Sequence, residues 1–263
     1  MNLPPLPDEL APLAAFIQQS ASPCIAVSVI PDGDVAFAGS KIGGAAALPA
    51  AFQWPRYKGK SLEFLLQLNL AELPNGVGFG LPGHGLLSFF YDLQERPWTP
   101  EIGGAFRVVY TPDEATLIAT PAPENVRSLG EASLAFRAGL SLPYFSSTAL
   151  GDFQERIQAG IGRVPSDDEM DDFAEAYGDY CREVSHFDDP NPDGGPHRMF
   201  GHPENIQDEM RAWDSEWVML FQVASDDTID LQWGDSGMLY FWITKADLAA
   251  TRFDRVTLTL QCC

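Results

Sequence analysis

His197 and His202 stand five positions apart, with Asp188, Asp189 and Asp193 just before them and Glu204 just after. Imidazole and carboxylate groups in one short segment suit a divalent transition metal, and such an ion would activate water for hydrolysis. A plainer use is open to the same histidines. His202 directly precedes Pro203, the expected start of a short helix to Met210, where it would act as a cap; His197 would bond a loop carbonyl. The other hydrolytic patterns are incomplete. There is no G-x-S-x-G elbow, and a Ser/His/Asp triad would have to draw its base from His84, His186, His197 or His202. Gly76-Val77-Gly78-Phe79-Gly80 lacks the Lys and Ser/Thr of a phosphate loop. Asp226-Asp227-Thr228-Ile229-Asp230 has Leu231 and Gly237 where a calcium loop needs Gly and Glu. Cys24, Cys181, Cys262 and Cys263 have no C-x-x-C spacing and no neighbour that would activate a thiolate.

No catalytic residue, metal or cofactor is therefore assigned. The leading expectation is a non-enzymatic binding or protein-interaction module, with an unidentified protein or small molecule as partner. The alternative is a metal-dependent hydrolase or other small-molecule-modifying enzyme that uses His197, His202 and the nearby carboxylates. For a ligand, the candidate residues are Gly43, Gly44, Trp54, His202, Trp233 and Asp235. Consecutive glycines allow positive φ or close approach by another group. Indoles with a polar edge, one imidazole and one carboxylate suit a polar small molecule or an extended peptide. Gln67 and Gln222 each interrupt an apolar run, and a buried amide must find partners. They either pin strand register or line a pocket.

Charge narrows the partners. The chain has 37 acidic against 16 basic residues, a net charge of −21, which repels phosphate backbones and anionic membranes. Its densest basic group, Arg56, Lys58 and Lys60, runs directly into Glu63, so neither nucleic acid nor membrane is expected as a partner. No apolar stretch approaches the roughly 20 residues that span a bilayer. The N-terminus has no positive, then apolar, leader pattern, so a cytoplasmic location is expected.

The elements that would carry these residues are mostly strands. Runs over 62–70, 85–91, 106–110, 217–223, 228–233, 237–243 and 254–262 are apolar and β-rich, and 133–142 alternates apolar and polar residues. Cys24–Ile30 and Val35–Phe37, joined by Pro31-Asp32-Gly33-Asp34, read as a hairpin. Helices are expected over 8–19, near 245–250, and from Ser166, whose pairing with Glu169 is a capping box. Beyond it Met170, Phe173, Ala174, Tyr177, Cys181 and Val184 form an apolar stripe.

Two halves share an order of features. Gly43-Gly44, Phe64–Leu68, Gly85–Phe90 and Arg107–Val109 match Gly201, Met219–Val223, Gly237–Trp242 and Arg255–Thr257. The expected fold is mainly β (α+β): duplicated antiparallel β units packed into one body with a few peripheral helices. One domain would span 1–263, with pseudo-repeats at about 40–112 and 197–263 and a helical or loop insertion at about 144–196. The glycine loop with Leu48-Pro49 and Trp54-Pro55, Leu65–Leu70, His197 with Gly201-His202-Pro203 and Ile206-Gln207, and Trp233–Gly237 followed by Leu239–Ile243 together resemble the YwqG-like family, bacterial proteins of unknown function. Ala45-Ala46-Ala47 departs from it, at a place where a further proline would be expected. The resemblance implies a mainly β, duplicated fold and no particular reaction.

Overall fold

Strands buried on both faces read as continuous apolar runs, and this chain is built from them. The computed structural model describes residues 2–74, 79–144, 153–186, 191, 194–207 and 215–262. In chain order the strands are β1 (Ser22–Ile30), β2 (Lys41–Ile42), β3 (Ala46–Pro49), β4 (Arg56–Tyr57), β5 (Lys60–Ser61), β6 (Glu63–Asn69), β7 (Leu86–Tyr91), β8 (Phe106–Thr111), β9 (Leu117–Thr120), β10 (Ala132–Ser141), β11 (His197–Met199), β12 (Trp217–Ala224), β13 (Met238–Thr244) and β14 (Thr257–Gln261). The helices are α1 (Ala14–Ser20), α2 (Phe153–Ile161), α3 (Asp167–His186) and α4 (Lys245–Ala249). Among the described residues no helix is long and apolar enough to cross a membrane.

Ten strands form one antiparallel sheet in the order β14-β13-β12-β11-β1-β10-β2-β6-β7-β8. It curls until its two wings face each other, giving a nearly barrel-shaped body. Phe89 on β7 meets Phe221 on β12 and Phe241 on β13 edge to face, at centroid distances of 5.9 and 5.0 Å. Tyr91 packs on Trp233 at 6.1 Å, and Tyr110 on Phe253 at 5.4 Å. Where the wings meet, the Leu260 N–H donates to the Trp98 carbonyl at 2.7 Å. Alternate residues of each wing go to opposite sides: Leu239, Phe241 and Ile243 of β13 enter the interior, while Met238, Tyr240 and Trp242 join an outer apolar cluster.

The helices form a second core against the middle of the sheet. A 3-10 turn (Asp8–Leu13), α1, α2 and α3 enclose Leu10, Leu13, Ile17, Ile157, Tyr177 and Tyr180. The capping box at the start of α3 is present. The Ser166 N–H donates to Glu169 Oε2 at 2.8 Å, and the Glu169 N–H to Ser166 Oγ at 3.3 Å.

Three sequence expectations are corrected. Residues 35–37 form no strand, because both edges of β1 are occupied: Ser22–Ile30 pairs with Ser141–Ser133, and Ile25–Val27 with Met199–His197. Residues 228–233 are not a strand, since Asp226 accepts the Thr228 N–H and turns the chain into a 3-10 turn at Asp227–Ile229. Pro203–Gln207 is irregular rather than helical, with side-chain amides taking its backbone donors. Gln222 Oε1 accepts from Glu204, and Gln261 Oε1 accepts from Ile206 and Gln207. The remainder of that expected helix, 208–210, lies outside the described residues, as do Gly76, Val77 and Gly78.

The stripe on α3 separates a buried Tyr177 from a half-buried Phe173. Tyr177→Ala is expected to cost about 3–5 kcal/mol and Phe173→Ala about 1 kcal/mol, measured by urea unfolding of the two variants. Equal losses would mean that Phe173 is as deep in this core as Tyr177.

Candidate functional site

Polar residues inside a strand must have their hydrogen bonds met locally, so the two glutamines show how the loops around the site are held. Both are fully buried. Gln67 Oε1 accepts the Ala47 N–H at 2.9 Å, and its Nε2 donates to the Gly39 carbonyl at 2.7 Å. Gln222 Oε1 accepts the Glu204 N–H at 2.9 Å, and its Nε2 donates to the Pro196 carbonyl at 2.8 Å. Each glutamine lies directly across from a buried cation, Gln67 from Lys41 and Gln222 from Arg198. Each also follows a β-bulge by two residues, at Leu65 and at Leu220. Left-handed backbone comes just after each cation: Gly43 and Gly44 at φ 64° and 68°, Phe200 and Gly201 at φ 60° and 73°.

The histidines are engaged. His197 Nδ1 accepts the Ala224 N–H at 3.1 Å, so its proton sits on Nε2, which donates to Asp226 Oδ2 at 3.0 Å. Burial would raise the Asp226 carboxyl, but hydrogen bonds from His197, Thr228 and the Gly195 backbone outweigh it and hold the group at about 2. His202 Nε2 donates to the Ser20 carbonyl at 2.8 Å, and the His202 N–H donates to Ser141 Oγ at 2.9 Å. Burial pushes the His202 imidazole below its ordinary range, with the Ser20 bond opposing the shift. Among the described residues no three His, Cys, Asp or Glu side chains are grouped to hold a metal. Asp188, Asp189 and Asp193 lie outside the described residues.

The six candidate ligand residues are spread over the molecule. Gly43 and Gly44 pack on the chain itself: a Cβ on Gly43 would meet the Gly130 carbonyl oxygen at 2.2 Å, and one on Gly44 would meet Glu131 Oε2 at 2.1 Å. Trp54 caps an outer cluster, edge-on to Phe90 at 5.3 Å, its Nε1 donating to the Leu62 carbonyl. Trp233 is buried in the interior. Asp235 is exposed in the turn before β13. His202 stands with Ser20 and Ser141, and the residues that follow it, Pro203 and Glu204, border a groove.

That groove opens between the C-terminal half of α3 and the segment after β11. Leu142, Cys181 and Pro203 give it apolar walls, and Ser185, Arg198 and Glu204 its polar groups. Desolvation raises the Cys181 thiol to about 12, so the thiol is neutral there. Arg198 donates from Nη1 to Ser185 Oγ and from Nη2 to Glu204 Oε2, both at 3.0 Å.

A family model described as a domain of unknown function (DUF1963) matches residues 40–262. The chain belongs to the DUF1963 family. No curated protein matches it. The DUF1963 region contains both glutamines, both engaged histidines and the groove; α1 and β1 precede it. Sequence reading did not single out Arg198, Glu131, Lys41 or Asp226 as a partner of His197. Arg198, a lone arginine between His197 and Met199, carries no motif that could have marked it.

His202 is depressed on folding, so it contributes stability above the unfolded imidazole value of about 6.5 that is lost as pH falls through it. Unfolding measured between about pH 7.5 and 5 should show this decline, and His202→Gln should flatten it. Asp226, also depressed, contributes above about pH 4 and loses its contribution towards pH 2. Asp226→Asn should cost about 2–3 kcal/mol at neutral pH; a neutral effect would mean that His197 finds another acceptor.

Proposed function

We propose that this DUF1963 protein is a non-enzymatic binding or protein-interaction module, acting in the cytoplasm on an unidentified protein or small molecule. The observation that carries this reading is that its polar side chains of catalytic type already hold the scaffold together. Both ring nitrogens of His197 and the Nε2 of His202 have partners within the chain, as does Asp226. A general base needs a free nitrogen within reach of substrate, which His197 lacks. In this reading Gly43, Gly44, Trp54, Trp233 and Asp235 serve the framework, and the ligand site is the groove reached through His202, Pro203 and Glu204.

The same reading takes the framework as a duplicated β unit within one domain, with repeats at about 40–112 and 197–263 and an insertion at about 144–196. Support comes from the matched positions of Gln67 and Gln222, of the bulges at Leu65 and Leu220, and of Lys41 and Arg198. The residue pattern around Gly43-Gly44, Gly201-His202-Pro203 and Trp233–Gly237 supports a likeness to the YwqG-like bacterial proteins. The −21 charge supports partners other than nucleic acid or membranes.

The test is an activity screen on the purified chain with activated carboxylic and phosphate esters, in the presence and absence of zinc or manganese. No turnover above the uncatalysed rate is expected. Turnover lost together with a bound metal ion on His202→Ala would establish the hydrolase instead.

A further inference from the structure

Arg198 is a cation almost out of reach of water, with one edge unused. Its side chain is 6% exposed, and its Nε is buried with no hydrogen-bond partner among the described residues. Leaving a charged donor unsatisfied in a buried site is costly, and this chain has more than twice as many acidic as basic residues. Arg137 compounds the excess. Arg137 and Arg198 flank Ala26 on adjacent strands, so both project from one face of the sheet with their Cα atoms about 10 Å apart. The Arg137 Nε is likewise buried and unpartnered among the described residues.

Part of this has a structural explanation. The C-terminal end of α3 lies over both arginines: Ser185 accepts Arg198 Nη1 at its hydroxyl and Arg137 Nη2 at its carbonyl. Cations suit that end of a helix dipole. The Ser185 hydroxyl accounts for Nη1 of Arg198, not for the edge formed by Nε and Nη2. That edge matches the two oxygens of a carboxylate. At present only Nη2 is used, by one oxygen of Glu204, whose side chain is 30% exposed.

The corresponding cation across from the other glutamine is closed off. Lys41 Nζ donates to Glu131 Oε2 at 2.8 Å, and the absence of a side chain at Gly44 lets that carboxylate in. Arg198 instead lines the groove. From this contrast, and resting on the binding-module reading above, we infer that the Arg198 groove binds the carboxylate group of a small ligand, with Glu204 as the group it displaces. The carboxylate takes the Nε–Nη2 edge of Arg198. Arg182, exposed at the mouth, is already paired with Asp179, so the charge that attracts the ligand is that of Arg198, and Leu142, Cys181 and Pro203 contact a short apolar body. The free space beside Arg198 is small, so the ligand's carboxylate takes the place that Glu204 vacates and its body extends towards the open side of the groove.

The test is a titration of the full chain with sodium acetate and, in parallel, sodium phosphate, with sodium chloride at equal ionic strength as control. The readout is the side-chain Nε–Hε resonance of Arg198 in nitrogen-edited NMR. Acetate should shift it saturably and phosphate should bind several-fold more weakly. Glu204→Gln, at the partly exposed rim, should tighten acetate binding about threefold or more by removing the competing charge. Arg198→Lys keeps the charge without the planar edge and should weaken binding at least about tenfold. No saturable acetate shift in the folded protein, or unchanged affinity in Glu204→Gln, overturns the inference even if Arg198→Lys fails to fold. Phosphate binding as tight as acetate overturns the carboxylate assignment. Ester turnover with acetate binding intact would sink the non-enzymatic reading alone; absent acetate binding without turnover would sink this inference alone.

Discussion

Gln67 and Gln222 each reach from a strand into chain that has little ladder of its own and supply it with a donor and an acceptor. The segments they hold, around β2 and β11, join the two central strands to the two wings. β2 is two residues long and β11 three. So short a strand gains little from its own backbone pairs, and each unmet amide group nearby would cost about 1–3 kcal/mol. A side-chain amide at each joint removes that cost and fixes register at the same time. The curl of the sheet, the contact of Phe89 with Phe221 and Phe241, and the groove beside Arg198 all follow from where those joints place the wings.

The wings themselves were plain in the sequence. Phe64–Leu68 and Leu239–Ile243 are apolar at nearly every position because both faces of these strands are covered. The start of α3 was equally plain, since Ser166 and Glu169 make a local exchange that needs nothing from the rest of the fold. What escaped was whatever depends on distant chain. β1 looked like half of a hairpin because its true partner, β10, is over a hundred residues away. The segment 228–233 looked like a strand because the side chain of Asp226 turns it, and that side chain is held by His197. Pro203–Gln207 looked helical because Gln222 and Gln261, which take its donors, arrive from β12 and β14.

The candidate site divides in the same way. The residue types that drew attention were two histidines, two glycines and the tryptophans, all of which the fold engages. Gly43 and Gly44 do permit a close approach, and the group that approaches is the chain's own Gly130 and Glu131. Arg198 was silent, since a lone arginine between a histidine and a methionine has no motif. Its interest comes from burial, from Arg137 two strands away, and from an unpartnered nitrogen; all three depend on the folded arrangement.

The placement of β1 at the centre of the sheet has a consequence for synthesis. Its first edge is covered once β10 has left the ribosome, but its second waits for His197–Met199. Through the translation of α2 and α3 the nascent chain therefore carries an apolar strand with one ladder unfilled, a template to which strands of other chains can add. α3, which packs against β10, is made during that interval. Its acidic first turns add negative charge to the nascent chain, and like-charged nascent chains are held apart while the edge is open.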